Sequence, residues 1–83
     1  MKELVEFIAR AIVDDPSAVE VREIESGDLE LHAGPADVGK LIGRRGRTAK
    51  ALRTVVRAVA GDRAPDLVIA GAEDLEGQES AAE

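Results

Sequence analysis

Apolar and polar positions recur in two rhythms along this chain, and the change of rhythm divides it into elements. Over residues 2–14 the rhythm is helical. Leu4, Ile8 and Ile12 recur every four residues, Val5, Phe7, Ala9 and Ala11 widen the stripe, and Lys2, Glu3, Glu6 and Arg10 take the wet side. Asp14-Asp15-Pro16-Ser17 ends the helix, because the residue before a proline is pushed out of the α region. Over residues 19–24 the period shortens to two, with Val19 and Val21 alternating with Glu20 and Arg22. Ile24 breaks the parity, which predicts a bulge or a strand end near Glu23. Ser26-Gly27-Asp28 is a turn signal. Residues 28–33 then read as a second strand, Leu29, Leu31 and Ala33 inward and Asp28, Glu30 and His32 outward, so a hairpin is expected.

Gly34-Pro35 breaks the chain, and a short helix is expected over about residues 36–41 with the proline near its first turn. A helix over about 47–60 is two-sided. Thr48, Ala49, Leu52, Val55, Val56 and Val59 fall in one arc, and Lys50, Arg53 and Arg57 gather in another, with Arg47 at its edge. Gly61-Asp62 ends it. Leu67-Val68-Ile69-Ala70 is a short apolar third strand. The expected domain over 1–70 is α+β, in the order α-β-β-α-α-β, a three-stranded sheet packed on helices. Residues 71–83 hold five acids, no base and one large apolar residue, too little to bury against their ordering entropy, and read as a disordered acidic tail.

Composition narrows the chemistry. With 83 residues there is room for one small domain with a thin core, and with Phe7 as the only aromatic that core must be aliphatic. The absence of cysteine excludes disulfides and Cys-based metal sites. No apolar run approaches the ~20 residues of a membrane span, and the charged N-terminus is unlike a signal peptide, so a cytoplasmic protein without a membrane partner is expected. A single histidine, no tyrosine and no Ser-His-Asp spacing or G-x-x-x-x-G-K-[ST] loop argue against an enzyme, and no catalytic residue, metal site or cofactor is assigned. His32 reads as a solvated strand residue.

Charge distribution changes the picture most. The chain carries −6 overall, yet residues 38–61 contain Lys40, Arg44, Arg45, Arg47, Lys50, Arg53, Arg57 and no acid, a local +7 that leaves −13 elsewhere. Local field, not total charge, steers a polyanion to a patch. At its centre Gly43-Arg44-Arg45-Gly46 joins two helices. Glycine permits positive φ and close approach, and the following helix offers unpaired N–H groups and the positive end of its dipole. That combination suits a phosphate. Gly39, inside the short helix, is either an irregularity or room for a sugar-phosphate backbone.

Ile42-Gly43-Arg44-Arg45-Gly46 followed by Ala49 and Leu52 resembles the I-G-x-x-G-x-x-I-x-x-I signature of KH domains, with Ala49 smaller than usual. With residues 1–9 and 53–58 the likeness narrows to the KhpA family of small single-KH-domain bacterial proteins, over about residues 1–70. The resemblance implies the type II KH fold and single-stranded RNA binding, with Lys40, Ile42, Gly43, Arg44, Arg45, Gly46, Arg47, Lys50 and Arg53 as the RNA-binding residues. Turn N–H groups and arginines would hold the phosphates of about four nucleotides, with bases in a shallow groove lined by Val38, Leu41 and Ile42 and widened at Ala49. It also implies homodimers, heterodimers with a larger KhpB (Jag/EloR)-type RNA-binding protein, and an RNA chaperone or post-transcriptional role touching cell shape. A helix-turn-helix DNA-binding module and a protein–protein adaptor are the alternatives.

Overall fold

The structure, a computed structural model, describes residues 1–71, so the acidic segment expected to form a tail lies, apart from Gly71, outside the described residues. Six main elements follow one another: α1 (Lys2–Ile12), β1 (Glu20–Glu23), β2 (Leu29–His32), α2 (Val38–Ile42), α3 (Arg47–Ala60) and β3 (Leu67–Ile69). Single 3-10 turns sit at Pro16–Ala18, Arg44–Gly46 and Gly61–Arg63. The order is the α-β-β-α-α-β read from the sequence.

The sheet runs β1-β2-β3. β1 and β2 are antiparallel, with Val21 opposite Leu31 and Glu23 opposite Leu29. Their register is unbroken, so of the two outcomes expected near Glu23 the strand end occurs and the bulge does not. Ile24 instead opens the hairpin turn, its N–H donating to the Asp28 carbonyl at 2.9 Å and its carbonyl accepting from Gly27 N–H at 2.8 Å. β3 lies parallel to β2, Leu29 beside Leu67 and Leu31 beside Ile69. A parallel pair needs a long crossover between its strands. Here α2, the Gly43–Gly46 turn and α3 are that crossover.

The helices cover one face of the sheet. Val5, Ala9 and Val13, then Val21, Leu29, Leu31, Leu67 and Ile69, then Val38, Leu41 and Ile42, then Ala49, Leu52 and Val56 form one aliphatic core. Two helical stripes are narrower than their sequence arcs. Along α1 and the residue that ends it the buried line is Val5–Ala9–Val13, Leu4, Ile8 and Ile12 are only half-buried, and Phe7 is 73% exposed. In α3, Val55 and Val59 stand exposed. The reason is the thinness of the domain: a single sheet face covers only part of each helix's circumference. α1 also ends two residues before the expected boundary, because Val13 turns to extended backbone (φ −83°, ψ 161°).

The opposite sheet face carries Glu20, Arg22, Glu30, His32 and Val68. Arg22 pairs with Glu20, and His32 Nε2 lies 2.6 Å from Glu30 Oε1. His32 is thus half-buried and engaged with a carboxylate, where a solvated residue was expected.

A candidate nucleic-acid interface at the α2–α3 turn

α2 is only five residues long, below the length at which a helix holds itself. It is fixed from outside. Asp37, at its N-terminal boundary, does not cap it with its side chain. The carboxylate instead accepts the N–H groups of Asp14 and Asp15, each at 3.1 Å, and is 3% exposed. The Asp14 N–H holds this carboxyl below the ordinary range, with Asp15 N–H and Lys40 adding to it and burial opposing. Lys40 closes the arrangement by pairing with the Asp14 carboxylate, and its Nζ lies 3.8 Å from Asp37. The Asp14 partner raises the Lys40 pKa. Sequence reasoning missed Asp37 because its partners are more than twenty residues away; an Asp before a helix signals only a cap.

At the other end of α2 the Gly43 N–H donates to the Gly39 carbonyl at 2.9 Å, and the chain leaves helical geometry. Gly43 has φ 74° and ψ 171°, Arg45 φ 56° and ψ 27°, and Gly46 φ 74° and ψ 15°. Gly43 is required twice over. Its backbone region is open only to glycine, and a Cβ there would meet Thr48, 2.8 Å from the Thr48 backbone nitrogen. Arg45 holds the left-handed region as a non-glycine residue, the kind of strain found at functional sites. Gly46 then opens α3 with no side-chain cap. The first N–H groups of α3 therefore face the turn with no side chain bonded over them, beside Arg44, Arg45 and Arg47, all exposed.

The expected site residues divide into four groups. Gly43, Arg44, Arg45, Gly46, Arg47 and Lys50 converge on the turn and the first two turns of α3. Arg53, half-buried, donates from Nε to the Leu67 carbonyl at 3.1 Å and so also fastens α3 to β3. Lys40 is engaged with Asp14. Ile42, with Leu41 and Val38, points into the core, so a floor of aliphatic side chains under the bases is not formed by these residues. Ala49 is fully buried as well, and its small side chain is a core contact instead of a wider groove. Gly39 is exposed on α2, with open space where a Cβ would stand. Among the described residues no group of His, Cys, Asp or Glu is placed to hold a metal ion, and no helix is long and apolar enough to cross a membrane.

A G-x-x-G turn between two helices, set in the crossover between parallel strands of an α-β-β-α-α-β domain, defines a KH domain. The KhpA/KhpB KH-domain profile matches residues 2–69. Proteins described as RNA-binding protein KhpA are similar along most of their length. That of Clostridium perfringens is 57% identical over 63 residues, covering 72% of this chain and 84% of its own. That of Halalkalibacterium halodurans is 56% identical over 63 residues, 72% and 83% respectively. That of Aquifex aeolicus is 44% identical over 62 residues, 71% and 78%. No solved structure matches significantly. The chain belongs to the KhpA family of KH-domain proteins.

Proposed function

We propose that this protein binds single-stranded RNA, holding the phosphates at the Gly43–Gly46 turn. The observation that carries the reading is the start of α3: a 14-residue helix with no side-chain cap, entered through left-handed backbone and ringed by Arg44, Arg45 and Arg47. Turn N–H groups and guanidinium groups take the phosphates, and Lys50 and Arg53 extend the positive path along α3. Bases receive little from the protein. The one aromatic, Phe7, is on α1, so stacking on rings adds nothing at the turn. Binding is therefore moderate, low in sequence preference and steeply salt-dependent.

The relatives' names support RNA as the ligand class. The KhpA likeness extends the reading to an RNA chaperone or post-transcriptional regulator in the cytoplasm, acting as a homodimer or with a KhpB-type protein. Pairing would give two few-nucleotide sites on one strand and hence avidity. Sedimentation at RNA-binding concentrations, alone and with a KhpB-type partner, tests this, and a monomer in both cases removes it.

The primary experiment is fluorescence anisotropy with a short labelled single-stranded RNA at two salt concentrations, with duplex DNA as competitor. The native protein should bind, salt-sensitively, and Arg44→Asp/Arg45→Asp should not, with its circular dichroism unchanged. Preferential loss to duplex DNA would favour the helix-turn-helix reading. Equal RNA binding by both proteins would move the function to protein docking.

A further inference from the structure

None of Arg44, Arg45, Arg47, Lys50 and Arg57 forms an ion pair among the described residues, whose ion pairs involve Met1, Arg22, His32 and Lys40. No acid occurs between Val38 and Gly61 in the chain. The charge they lack lies further along the same chain. Residues 72–83 contain Glu73, Asp74, Glu76, Glu79 and Glu83 and no base.

The fold delivers that segment to the right end of the molecule. Arg53 Nε bonds the Leu67 carbonyl, and Arg57 lines a cavity with Ala64, Pro65 and Asp66, so α3 and β3 run antiparallel side by side. From Leu67 to Ala70 the strand advances about 10 Å. Over about 9 Å in that direction α3 returns from Arg53 to Arg47. Those rises carry the chain at Ala70, whose N–H is held at 2.8 Å by the Leu31 carbonyl, back toward the start of α3. The twelve residues that follow Gly71 reach up to about 40 Å when extended, more than the 32 Å longest dimension of the molecule.

We propose that the acidic segment 72–83 occupies the basic face of the turn and α3 in the absence of RNA and is displaced by it. Tethering places five carboxylates beside that face at an effective concentration on the order of millimolar. They act as an intramolecular polyanion, so weakly bound strands are rejected and only ligands with several phosphates in register compete. The contact stands apart from the RNA reading; its consequence for affinity rests on it.

The test uses the full chain with Glu73→Gln, Asp74→Asn, Glu76→Gln, Glu79→Gln and Glu83→Gln together. Its control, Glu3→Gln, Glu6→Gln, Glu23→Gln, Glu25→Gln and Asp62→Asn, changes net charge equally, away from the turn. Without RNA, amide NMR shifts of residues 43–50 should move in the first protein and stay near native in the control. With single-stranded RNA at low salt, the first should bind at least threefold tighter than native, the control less than twofold, and the gap should close as salt screens the contact. Unmoved amides at 43–50, or equal tightening in both variants, overturn the proposal. If no protein binds RNA while the amides still move, the RNA reading fails and the contact stands.

Discussion

Thr48 occupies the space that any side chain on Gly43 would need, with its Cβ and backbone nitrogen each 2.8 Å from that point. Because a backbone atom shares the obstruction, trimming Thr48 cannot remove it. Gly43→Ala is expected to lower unfolding stability by about 1–3 kcal/mol from backbone strain alone, with overlap adding to it, and Thr48→Ala should not restore the loss. Chemical denaturation of the single and double variants checks this.

Arg45 presents the opposite case, a side chain kept where glycine would sit more easily. Left-handed backbone costs a non-glycine residue about 1–2 kcal/mol, and glycine's extra freedom when unfolded offsets about 0.5–1 kcal/mol of what is relieved. Arg45→Gly should leave stability within about 1 kcal/mol of native or slightly above it, while RNA affinity falls severalfold. Denaturation and anisotropy on the same preparation separate the two effects. Unchanged affinity would mean that Arg45 is not a phosphate contact.

The Asp37 carboxylate gives a pH dependence with a definite sign. Its pKa is depressed in the folded state by the Asp14 and Asp15 N–H groups. Its stabilisation is therefore complete above the ordinary Asp value of about 4 and is lost as pH falls through the folded value. Asp37→Asn, which can accept only one of the two bonds with its single oxygen, should be less stable at pH 7 and show a flatter decline below pH 4. Glu20, also depressed by its exposed Arg22 partner, should matter much less when replaced by Gln. Thermal unfolding between pH 7 and pH 2 compares the three.

Lys40 and Arg44 should differ in their salt signature. Each phosphate contact on a single strand contributes about 0.7 to the slope of log affinity against log salt. Arg44→Gln should reduce the slope by about that amount. Lys40→Gln should change it less, since Asp14 already partners the Lys40 ammonium. Equal changes would show that RNA pulls Lys40 away from Asp14.

Core and surface positions that look alike in sequence should diverge in energy. Leu52→Ala removes a buried side chain and is expected to lower stability by about 2–5 kcal/mol. Phe7→Ser, at a position 73% exposed, should change it by no more than about 0.5 kcal/mol.

That contrast marks what the sequence disclosed. Alternation at Val19 and Val21 and at Leu29 and Leu31 located both hairpin strands, since a period of two admits one buried face. Gly43 and Gly46 located the turn, because few residues accept its backbone angles. Helix faces were read too broadly, as at Phe7 and Val59: periodicity reports which residues are apolar, and only the area of the covering sheet decides how many are buried. The same limit sent Leu41 and Ile42 to a groove floor when they are core. Asp37 was invisible because its bonds to Asp14 and Asp15 join segments distant in sequence, and nothing local encodes them. The parallel pairing of β2 with β3 is likewise a long-range fact.

That pairing also fixes when the turn becomes ordered. Leu29 meets Leu67, 38 positions further along the chain, with all of α2, the turn and α3 lying between them. A nascent chain leaves the ribosome N-terminus first, so the arginines of the turn are synthesised well before β3. Until Leu67–Ile69 docks, Arg53 has no Leu67 carbonyl to bond, and the entropy of closing that long loop has not yet been offset. A translating chain stopped after Ala60 thus carries the complete G-x-x-G motif without the frame that shapes it. The native geometry of the turn is therefore expected only once β3 has been made, and amide protection of residues 43–50 in chains ending at Ala60 and at Gly71 checks this.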